Sequence, residues 1–368
     1  MNKTNKKIMF ISNSFEFLWT ARIELINNLK LYGYEILVVA KKDSYVEDFK
    51  EKNIQVFEWK VKGQSKNIFH EFVSFLDLRK IIKNEKPDIV FNFTIKPIIY
   101  ASINKFLIRH NFLLISMIAG FGNSFSFKKK YFNPIAFLFK LALIKNDLLI
   151  AQNEDDKALL LKWCHHKNTK VIKINGSGVN LDTFKPDHAQ ETPYHFILAS
   201  RLMKEKGVQE YLEAADIIKD KNKDITFILA GSCDDPNLLN KIQKSHSRGT
   251  IHYIGHTKNI KSYINKTMVV VLPSYYFEGV PRILLEALAL DKPIITTNWR
   301  GCRDTVVHNY NGRLIDIKNT NSLIESMNYF LEDSNLVSKM VGRSRKLAEE
   351  KFDRDKVNNK ITENINKL

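Results

Sequence analysis

The sequence has few cysteines and no long hydrophobic run. Cys164, Cys233 and Cys302 are scattered, without the spacing of a metal site or a disulfide framework, so we expect reduced thiols in a cytosol. No stretch of about 18 apolar residues occurs, so we expect no membrane-spanning helix. The apolar run at residues 8–11 is too short for a signal-peptide core and predicts a buried first strand.

The chain also lacks the common signatures of metal-dependent and nucleophile-based hydrolysis. It has no His-Glu-x-x-His and no Gly-x-Ser-x-Gly. The Asp-x-Asp pattern occurs only at residues 353–355, in a Lys-rich setting that does not follow an apolar strand. We therefore predict no metal site and no cofactor.

Acids are missing from one long segment. The net charge is +17, and residues 89–146 contain basic residues but no Asp or Glu, the bases being Lys96, Lys105, Arg109, Lys128, Lys129, Lys130, Lys140 and Lys145. Such a basic surface attracts phosphates, whether of nucleic acid, nucleotides or anionic lipid. The alternative is a solvated Lys-rich surface.

Two series of short apolar runs alternate with amphipathic segments. The first comprises KIMFIS, EILVVA, IQVFEW, DIVFNFT, LLISMIA, LLIAQN and KVIKIN, and the second YHFILAS, ITFILAG, IHYIG, MVVVLPS, PIITTN and GRLIDI. This alternation predicts parallel sheets with helices on both faces. Residues 184–194 contain two prolines and no periodicity, which indicates a linker. We expect an α/β protein of two doubly wound, Rossmann-like domains facing a cleft.

The segment SYYFEGVPRILLEAL holds two acids at the end of a predicted strand. Glu278 falls in the loop after MVVVLPS, and Glu286 falls in the second turn of a helix for which Pro281 suits the first position. Doubly wound sheets bind ligands at strand ends. Paired carboxylates there suit hydroxyl-rich ligands, one a ribose and one a sugar. The alternative is a surface acid beside an acid at a helix start.

The Glu-x7-Glu pattern resembles the donor-binding signature of the retaining GT-B glycosyltransferases of family 4. The resemblance implies that Glu286 binds the nucleotide ribose and Glu278 the transferred sugar. It extends to Arg201 and Lys206 in FILASRLMKEKG, which match the family's Arg-x4-Lys and imply stabilisation of the diphosphate leaving group. Arg201, Lys206 and Glu278 are thus the candidate catalytic residues, and the donor-binding candidates are Glu286, Gly279, Val280, Pro281 and Arg282.

The amino-terminal half is most similar to bacterial members that extend lipid-linked surface oligosaccharides. The resemblance lies in FTIKPIIYASI and IAGFGNSF, and it implies acceptor or phosphate roles for Lys96, Arg22 and Gly122. For Arg22 and Lys96 a solvated charge is the alternative. Residues 125–146, with Lys128, Lys129 and Lys130, fit contact with anionic lipid, the alternative being a buried crossover helix with a basic loop.

These expectations combine into one functional hypothesis. Residues 1–185, with a crossover helix at 352–368 as in the family, would bind the acceptor, and residues 186–351 would bind the nucleotide sugar. A hexose or N-acetylhexosamine would pass from a nucleotide diphosphate, probably UDP, to a polyprenyl-diphosphate-linked acceptor, with no metal. The enzyme would be cytoplasmic and peripheral on the inner membrane. The alternatives are a GT-B-like nucleotide-sugar 2-epimerase and a non-catalytic nucleic-acid-binding protein.

Overall fold

A computed structural model describes residues 5–61, 67–122, 134–164, 168–187, 193–333 and 335–368. The chain forms two compact units. The first comprises Met1–Ile174 together with Asn358–Leu368, and the second comprises Asn175–Val357.

The first unit contains a parallel sheet of seven strands in the order β3-β2-β1-β4-β5-β6-β7. The strands are β1 (Lys7–Ile11), β2 (Glu35–Ala40), β3 (Gln55–Glu58), β4 (Ile89–Phe93), β5 (Leu113–Ile118), β6 (Leu148–Ala151) and β7 (Lys170–Lys173). The helices are α1 (Phe15–Leu31), α2 (Val46–Glu51), α3 (Ile68–Glu85), α4 (Ile95–Leu107), α5 (Pro134–Leu143) and α6 (Glu154–Cys164).

The second unit contains a parallel sheet of six strands in the order β10-β9-β8-β11-β12-β13. The strands are β8 (Tyr194–Ala199), β9 (Phe227–Ala230), β10 (His252–Tyr253), β11 (Thr267–Leu272), β12 (Ile294–Thr297) and β13 (Gly312–Ile315). The helices are α7 (Val208–Lys221), α8 (Pro236–Ser247), α9 (Ile260–Asn265), α10 (Arg282–Ala289), α11 (Thr320–Glu332), α12 (Asn335–Met340) and α13 (Arg343–Leu347). A last helix, α14 (Arg354–Asn366), begins in this unit and ends in the first.

All thirteen apolar runs form strands, and the two Rossmann-like sheets predicted from the sequence are confirmed. The central strands are apolar along their whole length because helices cover both faces of a parallel sheet. In each sheet the strand order reverses once, between β1 and β4 and between β8 and β11. Ligands of doubly wound proteins bind beyond the strand ends at such a reversal.

Helix boundaries differ slightly from the sequence pattern. The first helix begins at Phe15, because the Ser14 hydroxyl accepts a hydrogen bond from the Phe17 N–H (3.2 Å) and caps the helix there. Pro281 is the N-cap of α10 rather than its first residue, with an extended backbone conformation.

The carboxyl-terminal residues belong to the first unit. Asn359 and Asn366 on α14 make hydrogen bonds with that unit, from Asn28 Nδ2 (3.1 Å) and from the Tyr34 hydroxyl (2.7 Å) respectively. Within the described part of the chain, no helix combines the length and the apolar character needed to cross a bilayer.

A glycine fixes the turn between β8 and α7. Gly207 has φ +74°, and a Cβ added to it would lie 2.3 Å from the carbonyl oxygen of Pro273, which follows β11. The backbones of the two strand-end turns therefore touch, and only a residue without a side chain permits this approach.

We expect Gly207→Ala to lower the free energy of unfolding more than Gly249→Ala does. Gly249 has the same φ of +74°, but a Cβ there meets no atom within 4 Å. Gly249→Ala should therefore show only the backbone cost of about 1 kcal/mol, whereas Gly207→Ala adds a steric clash. Urea unfolding measures both, and equal losses would show that the contact with Pro273 is unimportant.

Candidate functional site

The two candidate motifs lie at the ends of neighbouring strands. β8 pairs with β11 in parallel, with Phe196 beside Val269. Beyond β8 the chain passes Arg201 and forms a short 3₁₀ turn over Lys204–Lys206. Beyond β11 it forms the loop that carries Glu278. Sequence positions far apart therefore meet at the point where the strand order reverses, as a doubly wound ligand site requires.

Lys206 and Glu278 form a direct ion pair. The Lys206 ammonium lies 2.6 and 2.5 Å from the two carboxylate oxygens of Glu278. Their side chains are 11% and 14% exposed, so the pair is largely removed from water, where charge interactions are strong. The pair joins two of the three predicted catalytic residues.

Ser274 completes this cluster, and its role was not predicted from the sequence. Its hydroxyl donates to Glu278 Oε1 (2.9 Å) and accepts from the Tyr276 N–H (3.3 Å). The Tyr276 ring lies 5.6 Å from the Lys206 ammonium, in cation–π geometry. The sequence feature that could have identified Ser274 is a hydroxyl residue just after the apolar strand β11 and four positions before Glu278.

The loop from Gly279 to Pro281 presents its backbone rather than its side chains. Within the described part of the chain, the N–H groups of Gly279 and Val280 donate to no protein acceptor. The Val280 side chain is 5% exposed and belongs to the hydrophobic core. Any role of Val280 in donor binding is therefore limited to its backbone.

A second close approach holds this loop in place. Gly301, after β12, has φ +74°, and a Cβ there would lie 1.7 Å from the carbonyl oxygen of Gly279. Beside it, the Arg300 guanidinium lies over the Phe277 ring (4.7 Å), and Phe277 packs edge-on against Trp299. The loop before Glu278 is therefore supported by the loop after β12.

Glu286 is a buried acid whose described cationic neighbour, Arg282, is largely exposed. Its carboxylate is 3.6 Å from the Arg282 guanidinium, and its side chain is 12% exposed whereas that of Arg282 is 54% exposed. Burial raises the pKa of Glu286 to about 7, and the charge of Arg282 opposes this only in part. A buried carboxylate with spare acceptor capacity on α10 is suited to hydroxyl donors from a ligand.

Arg201 stands apart from these groups. It is exposed, its guanidinium donates to the Met203 sulfur (3.5 Å), and it makes no ion pair with any described residue. It lies on the same strand-end segment as Lys206. The structure therefore brings Lys206 and Glu278 together and leaves the Arg201 guanidinium available.

Cys302 lies close to Glu278 but is not a nucleophile. The residue is fully buried. Burial, followed by the negative charge of Glu278, raises the pKa of the Cys302 thiol to about 12. The thiol stays protonated at neutral pH, and thiolates rather than thiols are nucleophilic.

The acceptor candidates of the first unit occupy the ends of its strands and its first helix. Lys96, after β4, is 2.8 Å from the Glu71 carboxylate and is partly buried. Arg22 is 4% exposed, and its guanidinium lies 5.3 Å from the Phe93 ring and 5.6 Å from the Phe17 ring. The alternative of a solvated charge is thus wrong for Arg22, because aromatic rings of β4 and α1 cover it, and Lys96 is ion-paired.

The remaining acceptor segment is only partly described. Gly122 follows β5 with φ +62°, as a turn residue would. Lys128, Lys129 and Lys130 lie outside the described residues. The following helix, α5, is not buried on all sides, since Ile135, Phe137, Leu138 and Leu141 are exposed. Among the described residues no cluster of three or more His, Cys, Asp or Glu could hold a metal ion.

Two family models match the chain. The model of glycosyl transferases group 1 matches residues 181–347, and the glycosyl transferase 4-like model matches residues 7–153. Together they include all the donor-site residues described above and those at the strand ends of the first unit.

Curated relatives match along most of their length. The chain is 27% identical over 348 residues to N,N'-diacetylbacillosaminyl-diphospho-undecaprenol alpha-1,3-N-acetylgalactosaminyltransferase of Campylobacter jejuni, covering 90% of each chain. It is 23% identical to UDP-Gal:alpha-D-GlcNAc-diphosphoundecaprenol alpha-1,3-galactosyltransferase of Escherichia coli, covering 83% of each chain.

Solved structures share the fold. Anabaena HepE in complex with UDP and glucose superposes with a TM-score of 0.80 at 18% identity, covering 99% of this chain and 100% of that one. A glycosyltransferase from Rickettsia africae gives a TM-score of 0.76 at 20% identity, covering 98% and 97%. With both sheets, both family models and the relatives in agreement, the chain belongs to the group 1 glycosyltransferases of GT-B fold, with a glycosyltransferase 4-like amino-terminal domain.

Proposed function

We propose that this glycosyltransferase moves a hexose or N-acetylhexosamine from a UDP-sugar to a sugar carried on a polyprenyl diphosphate, in the assembly of a bacterial surface polysaccharide. The Campylobacter and Escherichia relatives are named for acceptors on diphospho-undecaprenol, and the Escherichia enzyme for a UDP-galactose donor. The proposal places the enzyme on the cytoplasmic face of the inner membrane, with no nucleic-acid partner.

The observation that carries the proposal is the Lys206–Glu278 pair at the ends of β8 and β11, with the buried Glu286 on α10, the helix that follows the Glu278 loop. A nucleotide sugar offers hydroxyls on its ribose, two phosphates and hydroxyls on its sugar. In the proposed complex Glu286 accepts the ribose hydroxyls, the free Gly279 and Val280 N–H groups face the phosphates, and Glu278 accepts the sugar hydroxyls. Arg201 and Lys206 supply the cations.

The chemical step proposed is heterolysis of the bond between the sugar and the diphosphate. Negative charge grows on the departing phosphate, and Arg201 and Lys206 stabilise it more in the transition state than in the bound donor. The acceptor hydroxyl forms the new bond on the same face, with retention of configuration, and its proton passes to the leaving phosphate. The proposed step uses neither a metal ion nor a cofactor.

The family assignment favours this reaction over the two alternatives raised by the sequence. A nucleotide-sugar 2-epimerase would interconvert two nucleotide sugars without an acceptor, and a nucleic-acid-binding protein would need no donor site. The relatives that match along most of the chain are named as transferases.

The proposal is tested by transfer to a defined acceptor. Purified protein is incubated with UDP-, GDP- or ADP-sugars and an undecaprenyl-diphosphate-linked N-acetylhexosamine, with and without EDTA. We expect transfer from one or more UDP-sugars and no effect of EDTA. The anomeric configuration of the new linkage should be the same as that of the donor. Epimerisation of the donor without an acceptor, or rates abolished by EDTA, would refute the mechanism.

Replacing the two cations should lower turnover rather than donor affinity. We expect Arg201→Ala and Lys206→Ala each to reduce kcat by about 100- to 1000-fold, the usual effect of removing one preorganised electrostatic stabiliser. The matched control is Lys204→Ala, an exposed lysine of the same 3₁₀ turn, which should retain its rate.

Lys206→Ala also removes the ammonium partner of the largely buried Glu278 carboxylate, so a second variant measures the effect on stability alone. Lys206→Ala with Glu278→Gln should restore the free energy of unfolding, which would assign the lost stability of Lys206→Ala to the broken ion pair. Variants that need more donor and then react at full rate would show that the cations only hold the nucleotide.

Glu286 should make both stability and UDP binding depend on pH. Its folded-state pKa of about 7 exceeds the ordinary value of 4.5, so its contribution to stability is fully present below pH ~4.5 and is lost as pH rises through 7. Glu286→Gln lacks this titration and should be more stable than the wild type at pH 8, by up to a few kcal/mol.

UDP affinity provides an independent readout of the same carboxyl group. The wild type should gain affinity relative to Glu286→Gln between pH 6 and 8, because the ionised carboxylate is the better acceptor for ribose hydroxyls. Calorimetry measures the UDP affinity of both proteins at each pH. The ratio of the two affinities is independent of the titration of the nucleotide, which affects both proteins equally. A constant ratio of affinities across this range would contradict the ribose assignment, and Glu278→Gln should leave UDP affinity nearly unchanged.

A further inference from the structure

Three neighbouring helices of the first unit expose large apolar side chains. α4 packs against both α3 and α5. The right-handed connections that carry the chain from β3 through β4 and β5 to β6 place these helices on one side of the sheet. We define the apolar face as their side chains that are 39 to 86% exposed, namely Ile68, Phe69, Phe72, Leu76, Ile103, Phe106, Leu107, Ile135, Phe137, Leu138 and Leu141.

The apolar face is nearly free of negative charge. α4 and α5 contain no acid. The acids of α3 are engaged elsewhere: Glu71 pairs with Lys96, Asp77 accepts from the Lys60 backbone N–H (2.9 Å), and Glu85 lies 3.9 Å from the Lys7 ammonium. So many large, exposed apolar side chains on helices that pack together are uncommon on a monomeric protein and mark an interaction site.

A basic pocket of about 760 Å³ adjoins this face at the ends of α3 and α4. Leu76 and Leu107 belong to both the pocket and the apolar face. Five cations and a histidine line the pocket: Arg79, Lys80, Lys83, Lys86, Arg109 and His110.

Most of these cations form no ion pair with a described residue. Arg79 donates to the Leu107 carbonyl (3.2 Å), which holds the carboxyl end of α4 against α3. Within the part of the chain that the structure describes, Lys80, Lys83, Lys86 and Arg109 form no ion pair. A concave cluster of unpaired cations attracts phosphate groups.

An apolar pocket of about 440 Å³ opens between α4 and α5 on the same side. Ile103, Phe106, Leu138 and Leu141 line it, and all four belong to the apolar face. At its rim the Lys145 ammonium lies 4.4 Å from the centre of the Phe106 ring. The Lys145 ammonium therefore lies over an aromatic ring of the apolar face, in cation–π geometry.

We propose that the apolar face and the basic pocket dock the protein on a bilayer of anionic phospholipid. Lipid phosphates enter the basic pocket, and the apolar side chains of α3, α4 and α5 enter the boundary between headgroups and acyl chains. A second copy of the chain fits this face poorly, because an isologous contact would bring the same unpaired cations together. The inference rests on the lipid-linked acceptor proposed above, since that acceptor resides in a membrane.

The test is co-sedimentation of the full chain with vesicles of phosphatidylcholine alone or of equal parts phosphatidylcholine and phosphatidylglycerol. The charge variant is Lys80→Glu, Lys83→Glu, Lys86→Glu, and the apolar variant is Phe69→Ser, Phe72→Ser. The control is Lys241→Glu, Lys244→Glu, Lys258→Glu, which makes the same change in net charge at exposed lysines of the second unit. Circular dichroism melts verify that each variant is folded.

We expect the wild type to bind the anionic vesicles and not the neutral ones, with binding weakened by salt. The charge variant should lose at least about 100-fold in affinity, at about fivefold for each basic residue near the surface, and the apolar variant should also bind more weakly. The control should retain binding. Equal loss in the control, or unchanged binding in the charge variant, would overturn the proposal.

Two further measurements separate this inference from its alternatives. Light scattering that shows a dimer dissociated by Phe69→Ser, Phe72→Ser would assign the face to a second copy instead and refute the bilayer proposal. Donor hydrolysis, which needs no membrane, should be unchanged in the charge variant. Vesicle binding without any sugar transfer would count against the proposed reaction and leave the docking face standing.

Discussion

The donor site depends on the contact between two backbone turns that follow β8 and β11. β8 and β11 are hydrogen-bonded neighbours in the sheet, although β9, β10 and helices α7 to α9 lie between them in the sequence. Gly207 allows the first turn to touch the Pro273 carbonyl, which sets the distance between Lys206 and Glu278. The roles proposed for Lys206 and Glu278 depend on that spacing, because the Lys206 ammonium contacts both carboxylate oxygens of Glu278.

The fold was predictable because parallel strands covered on both faces must be apolar throughout. The central strands show this pattern most clearly, as in EILVVA of β2, IVFNF of β4 and FILA of β9, whereas the strands QVFE (β3) and KVIK (β7) near the sheet edges are shorter and partly polar. Helix ends were less predictable, since Ser14 and Pro281 act through capping geometry that a hydrophobic pattern does not encode. The residue types of the donor site were also visible, because they follow the strands directly.

What the sequence could not supply were contacts between residues distant along the chain. The burial of Arg22 depends on Phe93, which belongs to the distant strand β4. The position of Arg22 on α1, taken alone, therefore left a solvated charge as the alternative. Likewise, the basic pocket combines the end of α3 with the residues after α4. The acid-free segment directed attention to residues 125–146, whereas half of the unpaired cations of the pocket come from a helix that also contains acids.

The pairing of Lys206 with Glu278 implies a form of ligand discrimination. An ammonium already paired with a carboxylate offers little to inorganic phosphate, which would have to separate the pair and deprive a largely buried acid of its ammonium partner. A nucleotide sugar brings the phosphate and the hydroxyls in one molecule, so it can satisfy both partners at the moment it separates them. In the proposed reaction the site therefore binds simple anions and free sugars weakly. It binds well only a ligand that carries both a phosphate and sugar hydroxyls.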